Sequence, residues 1–433
     1  MQCNRLRILF IIVFIVQVSA CSESTVILNN SSAHQPIDIK NLEITLAVDD
    51  ESVISDSVKE LAEKFNQNNV YGIKVNTDIS TLPAGSNPDC EITTDYNAAY
   101  LYKTGQITDL SHFINNQQWG IPDWRKQFCK AVRRQSVYRR FGKHTISVPI
   151  ALDSQIVIFN KDILKYLGYE KLPKSWFRTN ILLFKASRRM KPVLGLQYDV
   201  KTLTALVSAR GGSILQPAGF NYSMNNPVVT GTERYLRRLE NYGILSCNDQ
   251  KYKNQTDFAF GKLLMVVTSI DGIEPYFKMI NLIDNKMEWD VALIPTRKPG
   301  DGIFINCNNS AVIYSGDKRN ELASWFFIKW LIEEEQQQNI ALQSNTLPAR
   351  LDIIPNLIES SENTCAKQWN TALKLVSGAY IESLNAALYD YENVSSFIDE
   401  SITNIRNDSC VWLEALKLTR KINKCRRDDK WLK

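Results

Sequence analysis

The nine cysteines and three histidines are the side chains of this 433-residue chain best suited to nucleophilic, redox or metal chemistry, and their spacing supports little of it. No CxxC pair occurs, and only His34, His112 and His144 could add imidazole ligands, which argues against a structural zinc site. The GxGxxG, GxSxG and HExxH signatures are absent, as is GxxxxGK followed by Ser or Thr. No cofactor is therefore expected. Carboxylates are plentiful, but one sequence does not reveal which two would face each other at glycosidase separation. The prior for an enzyme is lowered.

The thiols and charges divide by location. Arg5 and Arg7 precede an apolar run from Ile8 to Val18 that is too short to span a bilayer comfortably, the pattern of a signal peptide over residues 1–20. Val18-Ser19-Ala20-Cys21 resembles the bacterial lipobox, which makes Cys21 the expected lipidation point and Ser22 to Pro36 a polar tether. Seven cysteines remain: Cys90, Cys129, Cys247, Cys307, Cys365, Cys410 and Cys425. In an exported chain Cys410 and Cys425 would close a short loop, and the odd count leaves at least one free thiol. Removing Arg5 and Arg7 lowers the formal charge from +5 to +3. From Lys417 onward eight Lys or Arg stand against Asp428 and Asp429, so residues 21–416 carry about −3 and 417–433 reads as a basic tail. A second basic cluster, Arg125 to Lys143, is read as a solvated face, with anionic lipid headgroups or a membrane partner as the lesser reading. Nucleic-acid binding is not expected of an exported chain.

The elements that must position any site follow from periodicity. Ile44 to Val48 reads as a strand, Ile54, Val58, Leu61, Ala62 and Phe65 recur at helical spacing, and Gly72 to Ile79 returns as a strand. A parallel pair needs such a crossover, so an α/β lobe is expected. Pro88 to Thr93 predicts a strand, Asp95 to Lys103 a helix, and Thr145 to Pro149 and Ser154 to Asn160 further strands before a helix from Lys161 to Leu167. Later strands are expected at Val193 to Leu196, Leu263 to Thr268 and Trp289 to Ile294, with one long helix from Asn320 to Ser344. The Leu322, Trp325, Phe326, Lys329 and Trp330 stripe on that helix reads as core.

Several segments, in order, resemble the family 1 extracellular solute-binding proteins of ABC transporters, the group that includes maltose-binding and other sugar-binding proteins. They are ITLAVDDESVISDSVKELAEKFNQNNVYGIKVNTD, PDCEITTDYNAAYLYKTGQITDLSHFI, ISVPIALDSQIVIFNKDILKYLG, FAFGKLLMVV, WDVALIPT and ELASWFFIKWLIEEEQQQNIALQSNTLPAR. The match runs from about Ile44 to about Arg406. It implies an α/β fold of two hinge-linked lobes with a ligand cleft between them, the class II periplasmic-binding-protein arrangement. The expected division is 44–149 plus about 296–345 for one lobe and 150–295 plus about 346–416 for the other, after a 21–43 tether.

The resemblance also assigns a candidate ligand set. Asp95 and Tyr96 follow the second strand pair, Asp153 lies at the first crossing between lobes, and Asp50 and Glu51 occupy the first strand-to-helix loop. Tyr198 and Asp199 precede the helix that ends at Gly211-Gly212. Each is equally a loop residue or helix cap. Where sugar-binding members show a Gly-Pro-Trp-like segment, this chain has Ser269-Ile270-Asp271, so Asp271 points to a more polar or cationic ligand, or Tyr276 replaces the stacking ring. Ile305 to Asn309 replaces a glycine-rich segment and supplies amides that could bind hydroxyls or equally form a turn. The implied role is capture of a small solute, chiefly a carbohydrate, by a monomeric, lipid-anchored subunit facing the periplasm or cell exterior. Its partners would be two permease subunits and their ATPase. A solute-sensing module for a membrane receptor and an exported glycan-active enzyme are the rival readings.

Overall fold

β1 (Glu43–Val48) opens the fold with Ile44 and Leu46 buried on alternate positions, the period of a strand with one face on a core. α1 (Ser55–Asn68) lays Val58, Leu61, Ala62 and Phe65 on one side and returns the chain to β2 (Lys74–Asn76) and β3 (Cys90–Thr93), both parallel to β1. Its exit turn places Gly72 at φ +65°, a conformation that favours glycine, and a Cβ there would force Asn41 Oδ1, 2.4 Å away, to move. The computed structural model describes residues 37–138, 144–214, 222–247, 252–298, 303–361, 367–379, 381–383 and 391–428.

After α2 (Asp95–Lys103), a two-strand hairpin of β4 (Val137–Tyr138) and β5 (His144–Thr145) precedes β6 (Val148–Asp153) and β7 (Gln155–Asn160). α3 (Lys161–Tyr166), β8 (Leu194–Leu196), α4 (Val200–Ala209), α5 (Pro227–Asn241), β9 (Leu245–Cys247), β10 (Met265–Ser269), α6 (Ile273–Leu282) and β11 (Trp289–Leu293) follow. The chain then forms β12 (Ile303–Ile313), α7 (Lys318–Leu331), α8 (Glu334–Ser344), β13 (Leu347–Pro348), α9 (Lys367–Ser377), β14 (Ile381–Ser383), α10 (Tyr391–Arg406) and α11 (Val411–Asp428).

These strands make two main sheets. One has the order β13-β6-β12-β3-β1-β2, with β14 beside β12, and the other β11-β7-β10-β8-β9. β6 and β7 are separated by Ser154 alone, so the chain leaves the first sheet and enters the second within one residue. The return runs from β11 to β12. A third stretch serves both layers: β13 and β14 pair into the first sheet, while Gln368 of α9 donates to the Trp289 carbonyl of β11 at 3.1 Å. The segment from 346 onward is thus shared between the layers and not confined to the second. The largest apolar cluster centres on the first sheet, a second on β7, β8 and β10, and a third where α4 and α5 meet α10 and α11.

The structure departs from other sequence expectations as well. The helix expected over 320–344 is two, α7 and α8, broken at Ile332–Glu333, where Glu333 is extended at ψ 156°. The buried Gln337 stitches the break: its amide donates to the Ile150 and Leu331 carbonyls at 3.0 and 3.1 Å, and its oxygen accepts from Ala349 N at 2.9 Å. The stretch expected as a basic tail from Lys417 is helical to Asp428, with Leu418 and Ile422 buried, Lys417 paired with Glu414 and Lys421 with Glu400. Charge at intervals around an apolar stripe reads as a tail in composition and as a packed helix in periodicity. Cys410 is an exposed free thiol, not a disulfide partner. It precedes α11, and Cys425 lies about 20 Å further along that helix axis, against a Cα separation of about 7 Å that a bridge tolerates. Cys21, the signal segment, the 22–36 tether, Cys365 and the part of the basic cluster from Arg139 to Lys143 lie outside the described residues.

Candidate functional site

The one-residue crossing between the sheets concentrates the polar groups. Asp153 ends β6, and its Oδ1 accepts from Ser154 N at 2.7 Å and from Ile270 N at 3.3 Å, so one carboxylate holds the crossing strand against the end of β10. Ile270 N also donates to the Ser154 carbonyl at 3.1 Å. The turn beyond is tight: a Cβ on Gly272 would meet Thr268 Oγ1 at 2.4 Å. Asp271 leaves that turn and accepts from the Ser269 hydroxyl. Burial pushes the Asp153 carboxyl up to about 7, the neighbouring Asp271 carboxylate pushes in the same direction, and Lys201 of α4 and the two backbone N–H donors oppose it. One carboxyl from the end of the first sheet and one from the second therefore stand together at the crossing.

The first sheet supplies the facing edge. Ser52, in the loop after β1, donates to Asn309 Oδ1 at 2.7 Å, and Asn309 is paired in register with Ala151 of β6. The β6–β12 register is irregular between Asn306 and Ser310, as expected where strands open toward a functional edge. Asp95 is buried at the start of α2 and accepts from Ser310 Oγ of β12 at 2.6 Å, which ties the helix to the strand that neighbours β6. Tyr96 beside it is half-buried.

The remaining candidates are held by other contacts. Asp50 and Glu51 are exposed in the first loop, with Asp50 paired to Lys59 of α1. Asp199 caps α4, accepting from Thr202 N at 2.8 Å. Tyr198 packs between the second and third apolar clusters, and its hydroxyl is buried with no hydrogen-bond partner among the described residues. Tyr276 is 2% exposed with its ring edge-on to Phe258 at 5.7 Å, so packing, not a cleft face, accounts for it. Ser52 and Lys201 were missed by sequence reasoning, and Asn309 stood out only as one of the amides of the Ile305 to Asn309 segment. No local pattern distinguishes them from other loop and helix polar residues; only the pairing of distant strands does. Among the described residues no group of His, Cys, Asp and Glu is placed to hold a metal ion, and no helix is long and apolar enough to cross a membrane.

Comparison with known proteins accounts for this architecture. The MalE sugar-binding protein of Xanthomonas citri superposes with a TM-score of 0.75 at 12% identity, covering 90% of this chain and 98% of its own. The cyclic α-maltosyl-1,6-maltose binding protein of Arthrobacter globiformis gives 0.71 at 15% identity, covering 89% and 99%. The GacH receptor of Streptomyces glaucescens gives 0.65 at 18% identity, covering 88% and 98%. The fold is the two-lobe periplasmic-binding-protein arrangement. No curated protein matches the sequence. The model of the bacterial extracellular solute-binding protein family matches residues 60–364, well over half of the chain, and this protein belongs to that family.

Proposed function

We propose that this protein is the substrate-binding subunit of an ABC importer, capturing a carbohydrate in the cleft between its two sheets and delivering it to a permease. The lobes are built on the β13-β6-β12-β3-β1-β2 sheet with β14 and on the β11-β7-β10-β8-β9 sheet, each with its helices. The observation that carries the reading is the crossing at Asp153–Ser154, where carboxyls from both sides meet across a one-residue connection. A solute that touches both lobes binds only the closed form fully, so its binding energy raises the closed population. Asp153 and Asp271 accept hydrogen bonds from hydroxyls, Asp95 and Tyr96 complete the first-lobe edge, and no step of turnover is required. Solved relatives of this fold are described as binding maltosyl-maltose, acarbose and mannobiose, which supports a sugar as the solute. Export, attachment through lipid on Cys21 and a monomeric state complete the proposal.

A thermal screen of sugars, polyols, amino acids and polyamines tests it. A true ligand at 100 times its dissociation constant stabilises the fold by about 2.7 kcal/mol and makes the particle more compact in solution scattering. If no solute raises the melting temperature or compacts the particle, the receptor reading fails.

A further inference from the structure

Away from the cleft, a crevice of about 310 Å³ lies between the end of α1 and the end of α7. Its walls are two aromatic pairs. Phe65 and Trp330 have ring centroids 5.3 Å apart and Tyr71 and Phe326 4.8 Å apart, while Val70, 89% exposed, stands at the rim. Ser52 and Asn309, at the cleft, are at the opposite end of α1, about 20 Å away along its axis. The stripe that reads as core therefore only partly serves the core: Leu322 and Trp325 are fully buried, whereas Phe326, Lys329 and Trp330 border the crevice.

Two charges line the same space. Lys329 and Glu333 are four residues apart, a spacing that joins side chains on a continuous helix. Here the helix is broken between them, and neither side chain has a hydrogen bond or ion pair among the described residues. Burial pulls the Lys329 ammonium below its ordinary range against the attraction of Glu333, and it pushes the rim carboxyl of Glu333 up against the attraction of Lys329 and Arg350. The two charges attract each other without a direct hydrogen bond, and Glu333 stays open to solvent at the rim.

We propose that this crevice is an accessory binding site for a neutral carbohydrate ring, distinct from the interlobe cleft. A pyranose presents apolar C–H faces to aromatic rings and hydroxyls at its edge. One hydroxyl accepts from the Lys329 ammonium and another donates to Glu333, so an uncharged polyol satisfies both charges. A carboxylate ligand would answer Lys329 and be repelled by Glu333, and an amine the reverse. The volume fits the lower end of the range for small-molecule sites. The inference does not depend on what the cleft binds.

The full chain labelled with 5-fluorotryptophan tests it, with the Trp330 fluorine resonance assigned by its loss in Trp330→Phe. Titration with glucose, maltose and mannobiose is expected to shift that resonance saturably. Lys329→Met and Phe326→Ala should each weaken the response at least tenfold, and the double cleft variant Asp153→Asn/Asp271→Asn should leave it unchanged. Glucosamine and glucuronate should bind more weakly than glucose. The proposal is overturned if no sugar moves the Trp330 resonance, if the response disappears with the cleft variant, or if a charged sugar binds more tightly than the neutral one. A cleft that still binds sugar while Trp330 stays silent refutes the accessory site alone.

Discussion

Glu233 provides a direct test of the structure's electrostatics. It sits on the inner face of α5, 1% exposed, and neither carboxyl oxygen has a hydrogen-bond partner among the described residues. Burial alone pushes its pKa up to about 8 from the model-peptide value of 4.5. The folded protein therefore holds Glu233 neutral at pH 7, whereas the unfolded chain ionises it, and folding takes up a proton. Each pH unit between the unfolded and folded values costs about 1.4 kcal/mol, so the cost at pH 7 is about 3 kcal/mol and approaches about 5 kcal/mol above pH 8. The sign follows from the direction of the shift: stability is fully present below about pH 4.5 and is lost as pH rises through about 8. Glu233→Gln keeps the shape and removes the titration. Urea unfolding at pH 5, 7 and 9 at constant ionic strength should show the variant nearly level with the parent at pH 5, more stable by about 3 kcal/mol at pH 7, and more stable still at pH 9. A difference that does not grow with pH would refute the reasoning, because it would mean that Glu233 is ionised or solvated in the native state.

The cleft carries its own titration. If Asp153 changes protonation near pH 7, solute affinity should vary between pH 6 and 8 in the parent and much less in Asp153→Asn, as isothermal titration at several pH values would show. Gln337→Ala leaves the Ile150 and Leu331 carbonyls and the Ala349 amide without their buried partner, and denaturant unfolding should report a loss of about 2–4 kcal/mol. Gly272→Ala forces a Cβ onto Thr268 Oγ1 in the turn that carries Asp271; a loss of about 1–3 kcal/mol is expected, with weakened solute binding as the second readout. Without reductant, a maleimide should label Cys410 on the native chain and spare Cys90, which is buried and whose thiol burial pushes up to about 12; peptide mapping would expose the opposite pattern.

Much of the fold was legible because its signals are local. The parallel opening β1–α1–β2 follows from the Ile44/Leu46 alternation and the Val58, Leu61, Ala62, Phe65 spacing, and α2 was bounded at both ends by Asp95 and Lys103. The break between α7 and α8 was not legible. Its flanks keep helical composition, and the glutamine that stabilises it makes its bonds to β6 and to the chain beyond α8. Asp153 could be singled out from its position after Pro149, but its raised pKa depends on Asp271, more than a hundred residues away. The same holds for Ser52 with Asn309. Tyr276 illustrates the converse: an aromatic residue near a missing stacking platform is a reasonable substitute in sequence, yet helical phase turns it inward against Phe258.

The sequence by itself determined the element types, the ordered segments that resemble solute-binding proteins, and the unequal distribution of charge, because propensity, periodicity and motif order are properties of neighbouring residues. Tertiary structure decided which groups meet. It brought Asp153 to Asp271, tied Asp95 to Ser310, left Glu233 without a hydrogen-bond partner among the described residues, and set Lys329 and Glu333 beside four aromatic rings. Those outcomes depend on desolvation and on distances between strands and helices far apart in the chain, and both exist only once the two sheets have formed.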